Sequence, residues 1–236
     1  MDTKVKGIVL ASKDYKENDK LLWLLTPIGK LTVLAKGVKK PKAKLKPASM
    51  PFCFGEYLLT NKGGEIYTLT SCEVIDSFFD ITSDYDSFLI GCKMLDIAGK
   101  IVNEENGLDI MLLLLKLLNL VAYVDLNDYV VFVKYLTEIL SNIGFRLNLD
   151  KCSKCGEKFL TKVYLDTDTG EVLCPACKTP TSVDVSINEY TIIRLICNTD
   201  FDNLKNLKFD DSILKNISKI LIKNIANKLN VVIKNL

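Results

Sequence analysis

The stretch KGIVLASKDYKENDKLLWLLTPIGKLTVLAKGV, Lys6 to Val38, holds three short apolar segments rich in Val, Leu, Ile and Tyr, the last two parted by Pro27 and Gly29. β-Branched and aromatic residues suit a pleated, half-buried surface, and Pro or Gly between such runs marks a turn, so the stretch reads as three strands in succession. Downstream, GEYLLTN from Gly55 and EIYTLTSCEV from Glu65 repeat the pattern across a turn signal at Asn61 to Gly64. Five strands in the first eighty residues predict a small barrel, of OB-fold or SH3-like type, which periodicity alone does not separate.

From Ser83 the period lengthens. Ser83 is placed to cap a helix with Asp86 three residues on, and Phe88, Leu89, Cys92, Leu95 and Val102 then recur at helical spacing towards Gly107. Two further helices are expected, from about Leu108 to Val124 and from about Asp128 to Ile143, the second stopped by Gly144. The run LDIMLLLLKLLNLVAYV from Leu108 raises a membrane question, but Asp109, Lys116 and Asn119 interrupt it before spanning length, so it reads as a buried helix. A capping box of Ser186 and Glu189 opens SINEYTIIRLIC, and Ile213, Ile217, Ile220, Leu221, Ile225 and Leu229 share one face of a last helix.

With 236 residues, 48% hydrophobic and 25% charged, the chain can bury a sizeable core. Its net charge of +2 conceals a segregation: residues 1–62 carry 13 basic against 5 acidic side chains, residues 63–151 carry 6 against 14, and residues 152–236 carry 12 against 10. Such a chain is built to meet a polyanion with one end. The excess concentrates in AKGVKKPKAKLKP, Ala35 to Pro47, where Pro41 and Pro47 keep Lys36, Lys39, Lys40, Lys42, Lys44 and Lys46 out of a central strand or helix. Together with Lys30 these are the candidate contacts to the phosphates of a polyanion, the bland alternative being a loop that serves solubility.

The start, MDTKVKGIVL, puts acid and lysine where an export signal needs an apolar run, so a cytoplasmic location is expected. Eight cysteines in such a chain argue for thiols and metal rather than disulfides. Cys152 with Cys155 and Cys174 with Cys177 form two C-x-x-C pairs with 18 residues between them, the spacing of a closed tetrahedral zinc site, though iron suits the same cage. Gly156 relaxes one knuckle, Pro175 stiffens the other, and Lys151, Lys154, Lys158 and Lys178 are placed to offset the thiolate charge. Four protein ligands leave no open position, so one structural ion per chain is expected. DTDTGE, Asp166 to Glu171, lacks the twelve-residue frame of a calcium loop and reads as a hairpin turn between the knuckles. Cys53, Cys72, Cys92 and Cys197 have no partner spacing and read as small buried hydrophobes.

The chain contains no histidine, which rules out Ser-His-Asp, Cys-His and H-E-x-x-H chemistry, and no P-loop motif occurs. The acid pairs Asp84 with Asp86, Glu104 with Glu105 and Asp210 with Asp211 fall at helix starts and in a loop, where capping and solubility explain them better than Mg²⁺. The sequence therefore reads as a binding module rather than an enzyme.

Four segments resemble the RecO family of recombination mediators: DYKENDKLLWLLTPIGKLTVLAKGVKKPKAKL from Asp14, MPFCFGEYLL from Met50, TLTSCEVIDSF from Thr68 and LSNIGFRLNLDKCSKCG from Leu140. Tyr15, Glu17, Asp19, Thr26, Gly29, Lys36 and Gly37 fall where the family's opening pattern has them, while Lys39 and Lys40 stand where the family favours arginine. Lysine keeps the charge but loses the bidentate fork. The resemblance implies an α+β chain: an OB-fold-like five-stranded barrel over 1–80 that binds DNA, a helical domain over 81–150, a four-cysteine zinc insertion over 151–182, and C-terminal helices over 183–236 completing the helical domain. It also implies binding of single- and double-stranded DNA, strand annealing, and work with RecR and the single-stranded-DNA-binding protein to load RecA. For the acidic C-terminal tail of that last partner, the helical part is the expected seat, with Arg146, Lys151 and Arg194 as basic rim. An adaptor that meets acidic partners without touching DNA is the alternative reading. Tyr15, Trp23, Phe52, Phe54 and Tyr57 are candidate stacking surfaces for bases.

Overall fold

Strands β1 (Asp2–Tyr15), β2 (Asp19–Thr26), β3 (Gly29–Ala35), β4 (Phe54–Thr60) and β5 (Ile66–Asp76) close a barrel in the order β1-β2-β3-β5-β4. All neighbours are antiparallel except β3 and β5, which run parallel. This is the Greek-key closure of an OB-fold, and it settles the choice left open by periodicity. The computed structural model describes residues 2–61, 63–159 and 162–233, so Lys62 of the turn predicted at Asn61 to Gly64 lies outside the described residues. The chain divides into two compact units, Met1–Ala122 and Tyr123–Leu236.

Alternation along each strand supplies the barrel core. Val9, Leu22, Leu24, Val33, Ala35, Tyr57, Leu59 and Leu69 form one buried cluster. β1 is long enough to serve two neighbours: Asp2 to Ile8 pair with β4, and Ile8 to Tyr15 pair with β2 across a bulge between Val9 and Ala11. A bulge lets one strand bend around a closing sheet. At the bend Gly7 faces Gly55, and a Cβ on Gly55 would stand 2.6 Å from the Glu73 carbonyl oxygen, so no side chain fits there.

Helix α1 (Tyr85–Ile101) starts one residue later than predicted. Ser83 belongs to the preceding 3-10 turn, and Asp84 caps instead, its carboxylate accepting from the Ser87 N–H at 2.9 Å. The buried face shares Leu95 with the predicted stripe but otherwise differs from it: Ile90, Met94, Ile97, Ala98 and Ile101 are buried, whereas Phe88 is 42% exposed. α1 ends at Ile101 rather than near Gly107 because the Asn103 and Asn106 side chains satisfy local backbone. The Asn103 side-chain carbonyl accepts from the Glu105 and Asn106 N–H groups, and that of Asn106 accepts from the Asn103 N–H.

Helix α2 (Gly107–Tyr123) follows, with Ile110, Met111, Leu114, Leu117, Leu118 and Val121 buried. Its first residue meets the β2–β3 turn so closely that a Cβ on Gly107 would lie 2.5 Å from the Gly29 nitrogen. Among the described residues no helix is long and apolar enough to cross a membrane.

In the second unit, α3 (Asp128–Asn142) is buried along nearly its whole length, from Tyr129 to Thr137 and again at Ile139 and Leu140. Gly144, at φ +85°, follows its end as predicted. It packs with α4 (Ile187–Asn198), which opens on the predicted Ser186 and Glu189 capping box, and with α5 (Asp211–Leu229), whose Ile217, Ile220, Leu221 and Ile225 are buried. Between α3 and α4 lies a small sheet in the order β7-β6-β8, made of β6 (Val163–Asp166), β7 (Val172–Leu173) and β8 (Ser182–Val185). Asp166 to Glu171 form the β6–β7 turn, and the buried Asp166 carboxylate accepts from Thr179, Thr181 and the N–H groups of Asp168 and Thr169. Those donors outweigh burial and hold it down to about 2.

Candidate metal centre and candidate DNA interface

The two C-x-x-C pairs converge. The Sγ atoms of Cys152, Cys155, Cys174 and Cys177 all lie within 4.8 Å of one another. Each pair is curled by a backbone bond from its second half to its first cysteine: the Gly156 N–H donates to the Cys152 carbonyl at 2.9 Å and the Cys177 N–H to the Cys174 carbonyl at 3.0 Å. Gly156 takes φ +78°, the left-handed conformation foreseen for it. The small sheet sets the pairs opposite each other, because the Ser153 N–H donates to the Val172 carbonyl at 2.9 Å, just before Cys174.

Cys155 and Cys174 sulfurs stand 3.7 Å apart. Thiolates about 2.3 Å from a shared tetrahedral ion would be spaced by roughly 3.8 Å, so the donor set fits such an ion. Burial pushes the Cys152 thiol up, but the N–H groups of Cys155, Cys174 and Lys154 prevail and bring it down to about 6. Cys177 is pushed up to about 12, by burial first and then by its three sulfur neighbours. Cys152 is thus readily ionised, and Cys177 needs a cation to follow it. Of the lysines expected around the cage, Lys178 lies over the Tyr164 ring at 5.4 Å, while Lys151, Lys154 and Lys158 are exposed.

The remaining four cysteines lie apart from the cage. Cys53 is buried, while Cys72, Cys92 and Cys197 are half-buried. Burial raises all four thiols, Cys72 to about 12.

In the first unit, the β3–β4 connection carries the lysine run as a chain of short turns: Lys40 donates to Gly37, Ala43 to Lys40, Lys46 to Ala43 and Ser49 to Lys46, ending in a 3-10 turn at Pro47–Ser49. Lys36, Lys39, Lys40, Lys42, Lys44 and Lys46 are all exposed. Both ends are pegged. At the start, the Asp19 carboxylate accepts from the Gly37 N–H at 2.7 Å, and the Asn18 carbonyl accepts from the Lys39 N–H at 3.0 Å. At the far end the buried Tyr57 hydroxyl donates to the Ala48 and Cys53 carbonyls. The Thr26 hydroxyl likewise donates to the Gly29 carbonyl at 2.8 Å. Asp19 with Gly37, and Thr26 with Gly29, are therefore bonded pairs that shape the two loops.

Two lysines have local partners that the sequence did not reveal. Lys39 pairs with Asp14 at 2.6 Å and holds that carboxyl below its usual range by hydrogen bonding. Lys30, exposed on β3, donates to the Gly99 carbonyl of α1. Among the candidate stacking aromatics, Tyr57 and Phe52 are 0% and 2% exposed and belong to the core, so neither can receive a base. Tyr15 is exposed beneath the Lys16 ammonium, and Trp23 and Phe54 are half-buried.

The three basic residues expected to seat an acidic tail share a neighbourhood. Arg194 pairs with Asp150 at 3.1 Å, Lys151 follows Asp150 in the chain, and Arg146 and Asp150 line a cavity of about 500 Å³ together with Glu138, Asn148 and Asn198. The cavity is lined mainly by polar groups.

Comparison with known proteins covers both units. Residues 1–78 match the family model for the N-terminal part of recombination protein O, and residues 83–236 match that for its C-terminal part. The DNA repair protein RecO of Clostridium novyi is 29% identical over 222 residues, 92% of this chain and 86% of that protein. RecO of Clostridium acetobutylicum is 28% identical over 224 residues, covering 92% and 89%, and RecO of Dehalococcoides mccartyi is 29% identical over 228 residues, covering 95% and 89%.

Proposed function

The chain belongs to the RecO family of DNA repair proteins, and from that premise we propose that it binds single- and double-stranded DNA through its barrel, anneals complementary strands, and works with RecR to load RecA. The observation that carries this reading is the pegged β3–β4 loop, which holds six exposed ammonium groups on short turns where phosphates can reach them. It acts by binding and by charge neutralisation, not by making or breaking covalent bonds, and it does so in the cytoplasm on the nucleoid. Zinc is the ion proposed for the four-cysteine cage, where four thiolates and no open position suit a structural role.

Fluorescence anisotropy of a labelled single strand, followed from low to high salt, tests the reading. Six neutralised phosphates at roughly 0.7 each give a salt slope near −4. A chain that ignored the oligonucleotide at low salt, or bound it with no salt dependence, would be an adaptor and not a DNA-binding protein.

The C-terminal tail of the single-stranded-DNA-binding protein is the partner proposed for the cavity beside Arg146, with Lys151 and Arg194 at its edge. Tail carboxylates are complementary to Arg146, and Asp150 is already partnered by Arg194. Arg146→Ala is expected to weaken a tail peptide about 10-fold in calorimetry, since removing one partner of a charge pair costs on the order of 1 to 3 kcal/mol. A variant that bound the peptide like the parent would move the seat elsewhere.

A further inference from the structure

Alternation along β2 sends Leu22 and Leu24 into the barrel core and Trp23 onto its outer face. The indole's cross-strand neighbours are Ala11 on β1 and Thr32 on β3, so neither carries a large side chain beside it. α1 packs over this face without filling it. A cavity of about 470 Å³ remains, lined by Leu10, Ala11, Trp23, Pro51 and Leu95, within the range of sites that take small planar ligands. Lys30, Asp96 and Lys100 also line it. Lys30 donates to the Gly99 carbonyl and Lys100 pairs with Asp96, so the lining carries two ammonium groups and one carboxylate.

We propose that this cavity receives one unstacked base of a bound DNA strand, laid against the Trp23 indole with its phosphate beside Lys30 and Lys100. The proposal rests on the DNA-binding reading above. Two features favour a nucleotide over an apolar side chain from a protein. The net charge of the lining is positive, which complements a phosphate. The lining is also joined to the basic loop along the chain, because Pro51 lies at the returning end of the segment that carries Lys36 to Lys46. Backbone contacts along the loop would hold the strand while one base leaves the stack, as stacking platforms for single strands require.

Trp23 is the only tryptophan of the chain, so its emission reports this cavity alone. The intact protein is titrated with a short mixed-sequence single strand and, separately, with an abasic strand of equal length, while anisotropy of labelled copies records binding. Both strands are expected to bind, and only the base-bearing strand to quench Trp23. Trp23→Ala is expected to weaken the base-bearing strand about 5- to 100-fold and to leave the abasic strand's affinity in place. Equal emission changes with both strands, or none with either, while anisotropy reports binding, overturn the proposal and leave the DNA-binding reading standing. Quenching by a phenylalanine-bearing peptide but not by DNA overturns it as well and assigns the cavity to a protein side chain. Flat anisotropy for both strands removes the DNA-binding reading itself, and the proposal with it.

Discussion

Removing the metal, by chelation or by Cys174→Ser, is expected to unfold the segment from Cys152 to Val185 while the barrel stays folded. Among the described residues, a short sheet and a handful of hydrogen bonds hold the rest of that segment. β7 is two residues long, and the apolar contribution comes from Val163, Leu165, Val172, Leu173 and Val185. On the other side the β6–β7 turn is tied to α5 by Asn224, which donates to the Asp166 and Thr167 carbonyls at 3.3 Å, and by Asn227, which donates to Asp168 at 2.9 Å. A structural zinc ion contributes on the order of 10 kcal/mol in small peptides, far more than these bonds at about 1 kcal/mol each. Limited proteolysis is expected to cut the stripped protein within this segment, with solubility falling before DNA affinity does. Ligand thiols must lose protons to bind, so metal occupancy should fall as the pH is lowered. Elemental analysis of purified protein that found neither zinc nor iron would end the claim.

Alanine at Lys39, Lys40, Lys42 and Lys44 together is the second large effect. Each ammonium group that neutralises a phosphate of a single strand contributes about 0.7 to the salt slope, so the slope should flatten by about 2 to 3. At about 0.1 M salt that corresponds to roughly 100-fold weaker binding. Lys39, already paired with Asp14, should account for the smallest share. The loss should be uniform across unrelated sequences, because phosphate contacts carry no sequence information. Folding and metal content should not change, since all four side chains are exposed and both pegs of the loop, Asp19 on Gly37 and Tyr57 on Ala48, are untouched. Parental affinity and slope in this variant would make the loop a solubility device and place the DNA surface elsewhere.

The barrel was legible because its signals are local: alternation along β2 and β4, Pro27 and Gly29 at one turn, Asn61 at another. The four-cysteine cage was legible because spacing alone constrains it. α1 was read partly one face out, since apolar residues fall on several faces between Phe88 and Ile101 and only tertiary packing selects Ile90, Met94 and Ile97 beside the expected Leu95. Its end was misplaced because Asn103 and Asn106 stop a helix through side-chain bonds that no apolar count registers. The pairing of Lys39 with Asp14 and of Lys30 with Gly99 joins residues 25 and 69 positions apart, and exists only once the barrel has closed and α1 has docked. The cavity at Trp23 is hidden for the same reason, being what the helix fails to cover.

The division of β1 between two partners has a consequence for synthesis. Its second half can zip onto β2 as a hairpin as soon as Thr26 is made, but Asp2 to Ile8 have no partner before Phe54 to Thr60 exist. Until then, a nascent chain leaving the ribosome amino end first carries an open strand edge with Val5 and Ile8 on it, the kind of edge that recruits foreign strands. Lys4 and Lys6 alternate with Val5 along that edge, and like charges on neighbouring nascent chains repel one another. Lys4, which in the finished barrel only pairs with Glu56 at the surface, thus has an earlier duty beside Lys6: guarding the strand during the interval in which the barrel is half built.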